Sequence, residues 1–169
     1  MSAARTRPSF GPDRRGSPWP FAFVTLASFG AVAAALVSQH VYGMDPCPWC
    51  VLQRLAFVAI GAFAMLGLAW RDATGDRVSA TLALLLAAAG LAAALWQHFA
   101  ASKSTSCNLT LADRIMNATG LNAMLPDVFE ARASCADAAV SLFGVPYDFW
   151  SAGLFAIIAI VMIAALRRR

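Results

Sequence analysis

The chain has 169 residues, of which 60% are hydrophobic and only 13% are charged, and this charged share is about half of that found in soluble domains. Such a composition is typical of a membrane protein. The net charge of +4 is not gathered on a soluble basic face, which argues against a nucleic-acid-binding function.

Four apolar runs are long enough to cross a membrane, because a hydrocarbon core about 30 Å thick needs roughly 20 helical residues. They lie at 21–41, 50–70, 78–97 and 149–166. None alternates apolar and polar residues as the strands of a membrane barrel do. The first run is longer than the apolar part of a signal peptide, and no clear cleavage site follows it. The sequence therefore predicts an all-α integral membrane protein, a bundle of four transmembrane helices.

The basic residues predict how these helices are oriented. Nine of the thirteen Lys and Arg residues lie in the tail 1–20, the loop 71–77 and the tail 167–169. The loops at 42–49 and 98–148 contain three more between them. Because short basic loops stay in the cytoplasm, we expect both termini to be cytoplasmic and the loops at 42–49 and 98–148 to lie on the opposite side.

The long loop at 98–148 is not a simple linker. From Leu109 to Glu130, apolar residues alternate with Asp, Asn, Arg and Glu. This pattern predicts short amphipathic helices that rest on the membrane surface.

All four cysteines, Cys47, Cys50, Cys107 and Cys135, fall in or beside the two outer loops. An even number of cysteines in an oxidising compartment favours disulfides. Of the three possible connectivities, one closes the CxxC pair on itself and leaves Cys107 with Cys135. A Cys107–Cys135 bond closes roughly 28 residues and would stabilise the fold by about 3 to 4 kcal/mol. A CxxC bond closes too small a loop for that, and such pairs are common in dithiols that cycle between oxidation states.

Arg54 lies close to this CxxC pair. Since Pro46 and Pro48 cannot continue a helix interior, the second membrane helix is expected to begin near 49–51. Cys50 then lies at a helix N-terminus, where the positive end of the helix dipole favours a thiolate. Arg54 follows four residues later on the same helix face. An arginine in an apolar run either extends to the interface or binds an anion or polar ligand, here near Cys50.

Polar residues also end the first and third apolar runs, as Gln39–His40 and Gln97–His98. Such residues are usual at a membrane interface. These residues are also expected to lie at about the same depth in the membrane as the CxxC pair, which suggests a small outer pocket ringed by His, Gln, Arg and thiolate. Such a pocket would suit a planar, lipid-soluble molecule with polar oxygens.

The stretch SQHVYGMDPCPWCVLQR, from Ser38 to Arg54, resembles the bacterial inner-membrane disulfide bond formation protein B (DsbB) family. The resemblance lies in the CxxC pair and in the arginine four residues after its second cysteine. It continues in the cysteine pair of the long loop, in ASCAD, and in FGVPYDFWSAGLF at the start of the fourth apolar run.

This resemblance implies a membrane thiol:quinone oxidoreductase that supports disulfide bond formation in the periplasm. Such an enzyme reoxidises a periplasmic DsbA-like thiol oxidase and passes the electrons to ubiquinone or menaquinone. By position, Cys107 would form the mixed disulfide with the partner, and Cys135 would resolve it toward the membrane pair. Cys47 would then exchange with Cys135, and Cys50 would face the quinone. Arg54 matches the quinone-binding arginine of the family, and His98 falls near a helix-end histidine implicated there.

Three other interpretations compete with this one. A thiol oxidase of the vitamin K epoxide reductase type also uses four helices and a CxxC pair, although its motif typically sits elsewhere in the bundle. A non-enzymatic four-helix protein with structural disulfides does not explain the CxxC pair beside Arg54. A tetrathiolate metal site is not expected, because Cys107 and Cys135 lack the tight spacing of a second zinc-binding pair.

Overall fold

The structure, a computed structural model, describes residues 17–70, 72–103 and 110–168. Four helices in it have the length and hydropathy to cross a membrane. They are α1 (Trp19–Tyr42), α2 (Pro48–Ala69), α3 (Ala73–Phe99) and α7 (Tyr147–Arg167). The prediction of an all-α, four-helix membrane bundle is confirmed.

Shorter elements fill the long connection between α3 and α7. A 3₁₀ turn (Ala101–Lys103) follows α3, and then come α4 (Leu111–Thr119), α5 (Leu121–Met124) and α6 (Pro126–Phe129). Strands β1 (Ser141–Leu142) and β2 (Val145–Pro146) form a small antiparallel hairpin directly before α7. The predicted short helices of this loop are thus present, and the hairpin is an addition that the sequence did not reveal.

Local capping residues determine where the long helices begin and end. Asp72 accepts a hydrogen bond from the backbone N–H of Gly75 at 2.6 Å and so starts α3 five residues before its apolar run. Gly43 ends α1 with a φ of 66°, a left-handed conformation that glycine adopts at little cost. α2 begins at Pro48, one residue before the expected range, since proline is well tolerated as the first residue of a helix.

Small residues allow the helices to approach closely. α2 lies between α1 and α3, and α3 packs along α7. One face of α3 is a buried stripe of small residues, namely Ala80, Ala83, Ala87, Gly90 and Ala94. A Cβ atom added at Gly90 would collide with the ring of Phe155 on α7. The Phe155 ring in turn stacks on Phe57 of α2, with ring centroids 4.0 Å apart. Close packing of this kind holds membrane helices together, because lipid tails remove most of the hydrophobic driving force between them.

The loop helices pack on the outer end of α2. Met116 of α4 and Phe129 of α6 are buried against Val51 in the first turns of α2. A reciprocal capping box between Thr110 and Asp113 starts α4. The expectation that the apolar residues of this loop rest on a membrane surface is therefore wrong for Met116 and Phe129. Those two side chains are used in the fold, because the start of α2 presents an apolar surface to the loop.

Candidate active site

Three sulfur atoms meet at the outer end of α2. Cys47 is the N-cap residue of α2, and its Sγ accepts a hydrogen bond from the backbone N–H of Cys50 at 3.3 Å. Cys47 Sγ lies 2.8 Å from Cys50 Sγ, and Cys135 packs with Cys47 in one buried cluster. All three are free thiols in the structure. Cys107, the fourth predicted site cysteine, lies outside the described residues.

Backbone hydrogen bonds bring Cys135 to Cys47. The N–H groups of Arg132 and Ala133 both donate to the carbonyl oxygen of Pro46, at 3.0 and 3.3 Å. This anchors the loop directly above the CxxC segment, so that Cys135 packs in one apolar cluster with Cys47 and Trp49. The central position belongs to Cys47, which is fully buried and contacts the other two sulfur atoms.

The hydrogen bonds around Cys47 have opposite effects on the pKa values of Cys47 and Cys135. The pKa of Cys135 lies below its ordinary value, because the Cys47 thiol and the backbone N–H of Trp49 both donate to the Cys135 sulfur. The pKa of Cys47 is raised, first by its hydrogen bond with Cys135, then by that with Cys50, and also by burial. These hydrogen bonds therefore favour the thiolate at Cys135 over a thiolate at Cys47.

Arg54 points into the protein. The side chain is only 6% exposed. Its Nη1 donates to Gln39 Oε1 at 2.6 Å and to the carbonyl oxygen of Val128 at 3.0 Å, and Nη2 donates to the carbonyl oxygen of Ala35 at 3.3 Å. Since an arginine that only extends to the interface would leave its head group exposed, this geometry favours the ligand-binding interpretation of Arg54.

A chain of buried amides leads away from Cys50 on the other side. Gln97 Nε2 donates to Cys50 Sγ at 3.2 Å and to Asp148 Oδ1 at 3.0 Å. Gln97 Oε1 accepts from Gln53 Nε2 at 2.7 Å, and His98 Nδ1 lies 3.1 Å from Asp148 Oδ2. Sequence reasoning missed Gln53 and Asp148 as members of the site. The available signal was a carboxylate at the start of an apolar run, which is costly in a membrane unless it is paired.

The two histidines occupy different surroundings. His98 is half-buried, beside Asp148 and the ring of Phe149, whose centroid is 4.4 Å away. His40 is exposed, and its Nδ1 lies 2.9 Å from the Leu36 carbonyl oxygen of its own helix. The expected ring of His, Gln, Arg and thiolate is therefore wrong for His40. Neighbouring helical residues point about 100° apart, so Gln39 can face Arg54 only if His40 faces away.

Two cavities meet at Arg54 and Tyr147. One, of about 470 Å³, lies next to the sulfur atoms and is lined by Cys50, Asp45 and Asp137 together with Arg54 and Tyr147. The other, of about 580 Å³, lies between α1 and α7, and its lining is mainly apolar. Ala35 and Ser38 also belong to both linings. His98 lines neither of these two cavities. Tyr147 is a further residue that sequence reasoning missed.

Comparison with known proteins identifies the family of this chain. Residues 17–165 match the model of the family described as disulfide bond formation protein DsbB. Relatives named disulfide bond formation protein B include one from Ralstonia nicotianae, 32% identical over 157 residues that cover 88% of this chain and 93% of the relative. One from Herminiimonas arsenicoxydans is 33% identical, covering 86% and 92%. One from Aromatoleum aromaticum is 34% identical, covering 87% and 97%. The chain therefore belongs to the DsbB family and is a multi-pass membrane protein of disulfide bond formation.

Proposed function

We propose that this chain is a quinone-dependent protein-disulfide oxidoreductase of the bacterial inner membrane. In this proposal it reoxidises a periplasmic DsbA-like thiol oxidase and passes the electrons to ubiquinone or menaquinone. Cys47, Cys50, Cys107 and Cys135 are the redox-active residues, and Arg54 binds the quinone. Membership in the DsbB family favours this function over a vitamin K epoxide reductase-type enzyme and over a non-enzymatic membrane protein.

The observation that carries the proposal is the contact of Cys135 with Cys47 and of Cys47 with Cys50, beside the cavity that contains Arg54. This order of contacts supports a relay from the loop to the membrane. The Cys135 thiolate attacks Cys47 Sγ of an oxidised Cys47–Cys50 pair, so a Cys135–Cys47 bond forms as the Cys47–Cys50 bond breaks. Cys50 leaves as a thiolate. In the oxidised pair Cys47 has no S–H to donate, and the backbone N–H of Trp49 would be the remaining donor to the Cys135 thiolate.

The residues around Arg54 fit a quinone. Arginine has five N–H donors, and within the described residues three of them are used, by Gln39, Val128 and Ala35. The others are suited to a quinone carbonyl oxygen, which gains negative charge during reduction. The apolar cavity between α1 and α7 matches the chemistry of an isoprenoid tail. When bound, a quinone accepts two electrons and two protons and becomes a quinol.

The proposal assigns the termini and the loops to the two sides of the membrane. Both termini are cytoplasmic, and the loops that contain the cysteines face the periplasm, as the distribution of basic residues favours. An aqueous protein thiol can reach the loop from that side, and a quinone can reach the α1–α7 cavity from the lipid. The Cys47–Cys50 pair lies between these two routes.

Anaerobic turnover of the purified protein tests this function. We expect reduced DsbA-like protein and ubiquinone to react with a stoichiometry of one quinone reduced per partner dithiol oxidised, measured by quinone absorbance and by thiol titration. Menaquinone in a parallel reaction identifies the preferred acceptor. Cys50→Ser is the inactive control. If the wild-type protein oxidised the partner with no loss of either quinone, the proposed electron acceptor would be wrong.

A further inference from the structure

We propose that Asp148 is a positioning residue for Cys50. Its carboxylate orients the side-chain amide of Gln97, so that Gln97 Nε2 donates a hydrogen bond to Cys50 Sγ and stabilises the thiolate. The inference rests on the proposed function, in which Cys50 is the thiolate next to the electron acceptor. It assigns a task to a carboxylate that the relay of cysteines leaves unexplained.

The geometry connects three transmembrane helices at one level of the bundle. Cys50 and Gln53 belong to α2, Gln97 to α3 and Asp148 to α7. Gln97 lies at the centre, with Nε2 at 3.2 Å from Cys50 Sγ and 3.0 Å from Asp148 Oδ1, and with Oε1 at 2.7 Å from Gln53 Nε2. Gln53, Gln97 and Asp148 are 4%, 3% and 6% exposed. Water therefore has little access to replace a lost partner.

Only one orientation of the Gln97 amide suits these neighbours. An ionised carboxylate accepts hydrogen bonds and cannot donate them, so the NH₂ group must face Asp148. The second N–H of that group then points at Cys50, and the oxygen faces Gln53. Rotating the amide by 180° would bring its oxygen against the carboxylate and against the electron-rich sulfur. Without Asp148, a rotated amide would lose little, because the two glutamine side chains can exchange donor and acceptor roles.

His98 completes the arrangement from the other side of the carboxylate. Its Nδ1 lies 3.1 Å from Asp148 Oδ2, the oxygen that Gln97 does not use. The imidazole ring is held between Phe99, at 5.0 Å, and Phe149, at 4.4 Å, centroid to centroid. A buried carboxylate needs a partner for each oxygen. His98 thus contributes to the site by holding Asp148, without contact to either cavity that contains Arg54.

The charge of Asp148 and its role as an acceptor affect Cys50 in opposite directions. A nearby negative charge disfavours a thiolate, whereas a correctly oriented amide N–H favours it. If Asp148 acted only through its charge, removing it would make Cys50 more reactive. A merely structural role predicts the same sign, since a loosened helix contact exposes Cys50. The inference predicts the opposite, namely a less reactive Cys50.

Alkylation of Cys50 measures this difference directly. The full-length protein with Cys47→Ser, Cys107→Ser and Cys135→Ser leaves Cys50 as the only thiol, and serine at position 47 keeps a good N-cap for α2. We expect Asp148→Leu in this background to slow iodoacetamide alkylation at pH 7 about tenfold, the effect of losing a hydrogen bond to a charged group. An unchanged or faster rate would overturn the inference. Asp127→Leu is the matched control, because that side chain is 79% exposed, and its rate should equal that of the parent.

Two further variants keep the test decisive. Gln97→Leu should slow alkylation to the same extent, and adding Asp148→Leu to it should cause no further slowing, since the effect of Asp148 on the hydrogen bond acts through Gln97. A second tenfold loss in the double variant would exclude the route through Gln97. If Asp148→Leu does not fold, Asp148→Ala removes the same acceptor and charge with a smaller side chain. A rate below that of the parent supports the inference, and an unchanged or faster rate overturns it.

The alkylation assay contains neither quinone nor partner protein. Its result therefore stands apart from the turnover experiment. Wild-type protein that reduced no quinone would refute the proposed function even if Asp148→Leu slowed alkylation as expected. A wild-type enzyme with full turnover and an Asp148→Leu variant with unchanged alkylation would refute this inference alone.

Discussion

Arg54 connects α2 to two other parts of the molecule. Through Gln39 and Ala35 it fixes α2 to α1, and through the Val128 carbonyl it fixes α2 to the loop helix α6. The same guanidinium lines both cavities. A change at this residue should therefore affect ligand affinity and the attachment of the loop together, and the two effects can be separated by choice of substitution.

We expect Arg54→Met to weaken apparent quinone affinity and to slow turnover by roughly 10- to 150-fold, the equivalent of about 1.5 to 3 kcal/mol for one hydrogen bond to a charged group. Arg54→Lys should recover only part of this loss, since a single ammonium cannot replace a planar fork of donors. Steady-state rates against quinone concentration measure both variants.

The control for these variants is Arg114→Met, an exposed arginine on α4, which should behave as wild type. If Arg54 only anchored the helix at the interface, Lys would work nearly as well as Arg, and Met would reduce membrane insertion instead of quinone affinity. Unchanged Michaelis constant and turnover number in correctly inserted Arg54→Met protein would remove Arg54 from the site.

At the level of elements, the first turns of α2 organise the site. Cys47, Cys50 and Arg54 were predictable from sequence because they lie on one helix, where spacings of three and four residues bring side chains together. Asp148 was not, and neither was the direct contact of Gln97 with Cys50, since both depend on how α3 and α7 are rotated about their axes. That rotation is determined by contacts such as Gly90 against Phe155, and an apolar run looks alike at any rotation.

The loop cysteines, Cys107 and Cys135, are expected to have a different function from the Cys47–Cys50 pair. Cys135→Ser should stop oxidation of the protein partner, because it removes the thiolate that contacts Cys47. Cys107→Ser should stop it because it removes the disulfide partner of Cys135. The Cys47–Cys50 pair should still react with quinone and with small thiols, since Gln97 still contacts Cys50 and Arg54 still lines the adjacent cavity. Partner oxidation and dithiothreitol oxidation are measured side by side. Near-normal turnover of the partner by Cys107→Ser protein would show that the order of the relay is wrong.

At the scale of the whole molecule, the bundle is closed on one side and open on the other. α2 packs closely on α3, and α3 packs closely on α7 through small residues. The apolar cavity lies between α1 and α7. The loop helices cover the outer end of α2 above the sulfur atoms. In the proposed function, this asymmetry would supply separate approaches for a water-soluble protein and for a lipid-soluble acceptor. It could not be read from the sequence, because four runs of similar hydropathy do not specify which pair leaves a gap.

These separate approaches require the loop side to be periplasmic, and a labelling experiment tests that orientation. Cys135 is only 8% exposed, so a protein without native cysteines and with one new thiol at an exposed position is the better probe. We expect a membrane-impermeant maleimide added to intact cells to label Met124→Cys, since Met124 on α5 is 75% exposed. Thr74→Cys, at the exposed start of α3 on the opposite side, should be labelled only after the membrane is permeabilised. The reverse pattern would overturn both the cytoplasmic position of the termini and the periplasmic position of the cysteines, because one rotation of the bundle moves them together.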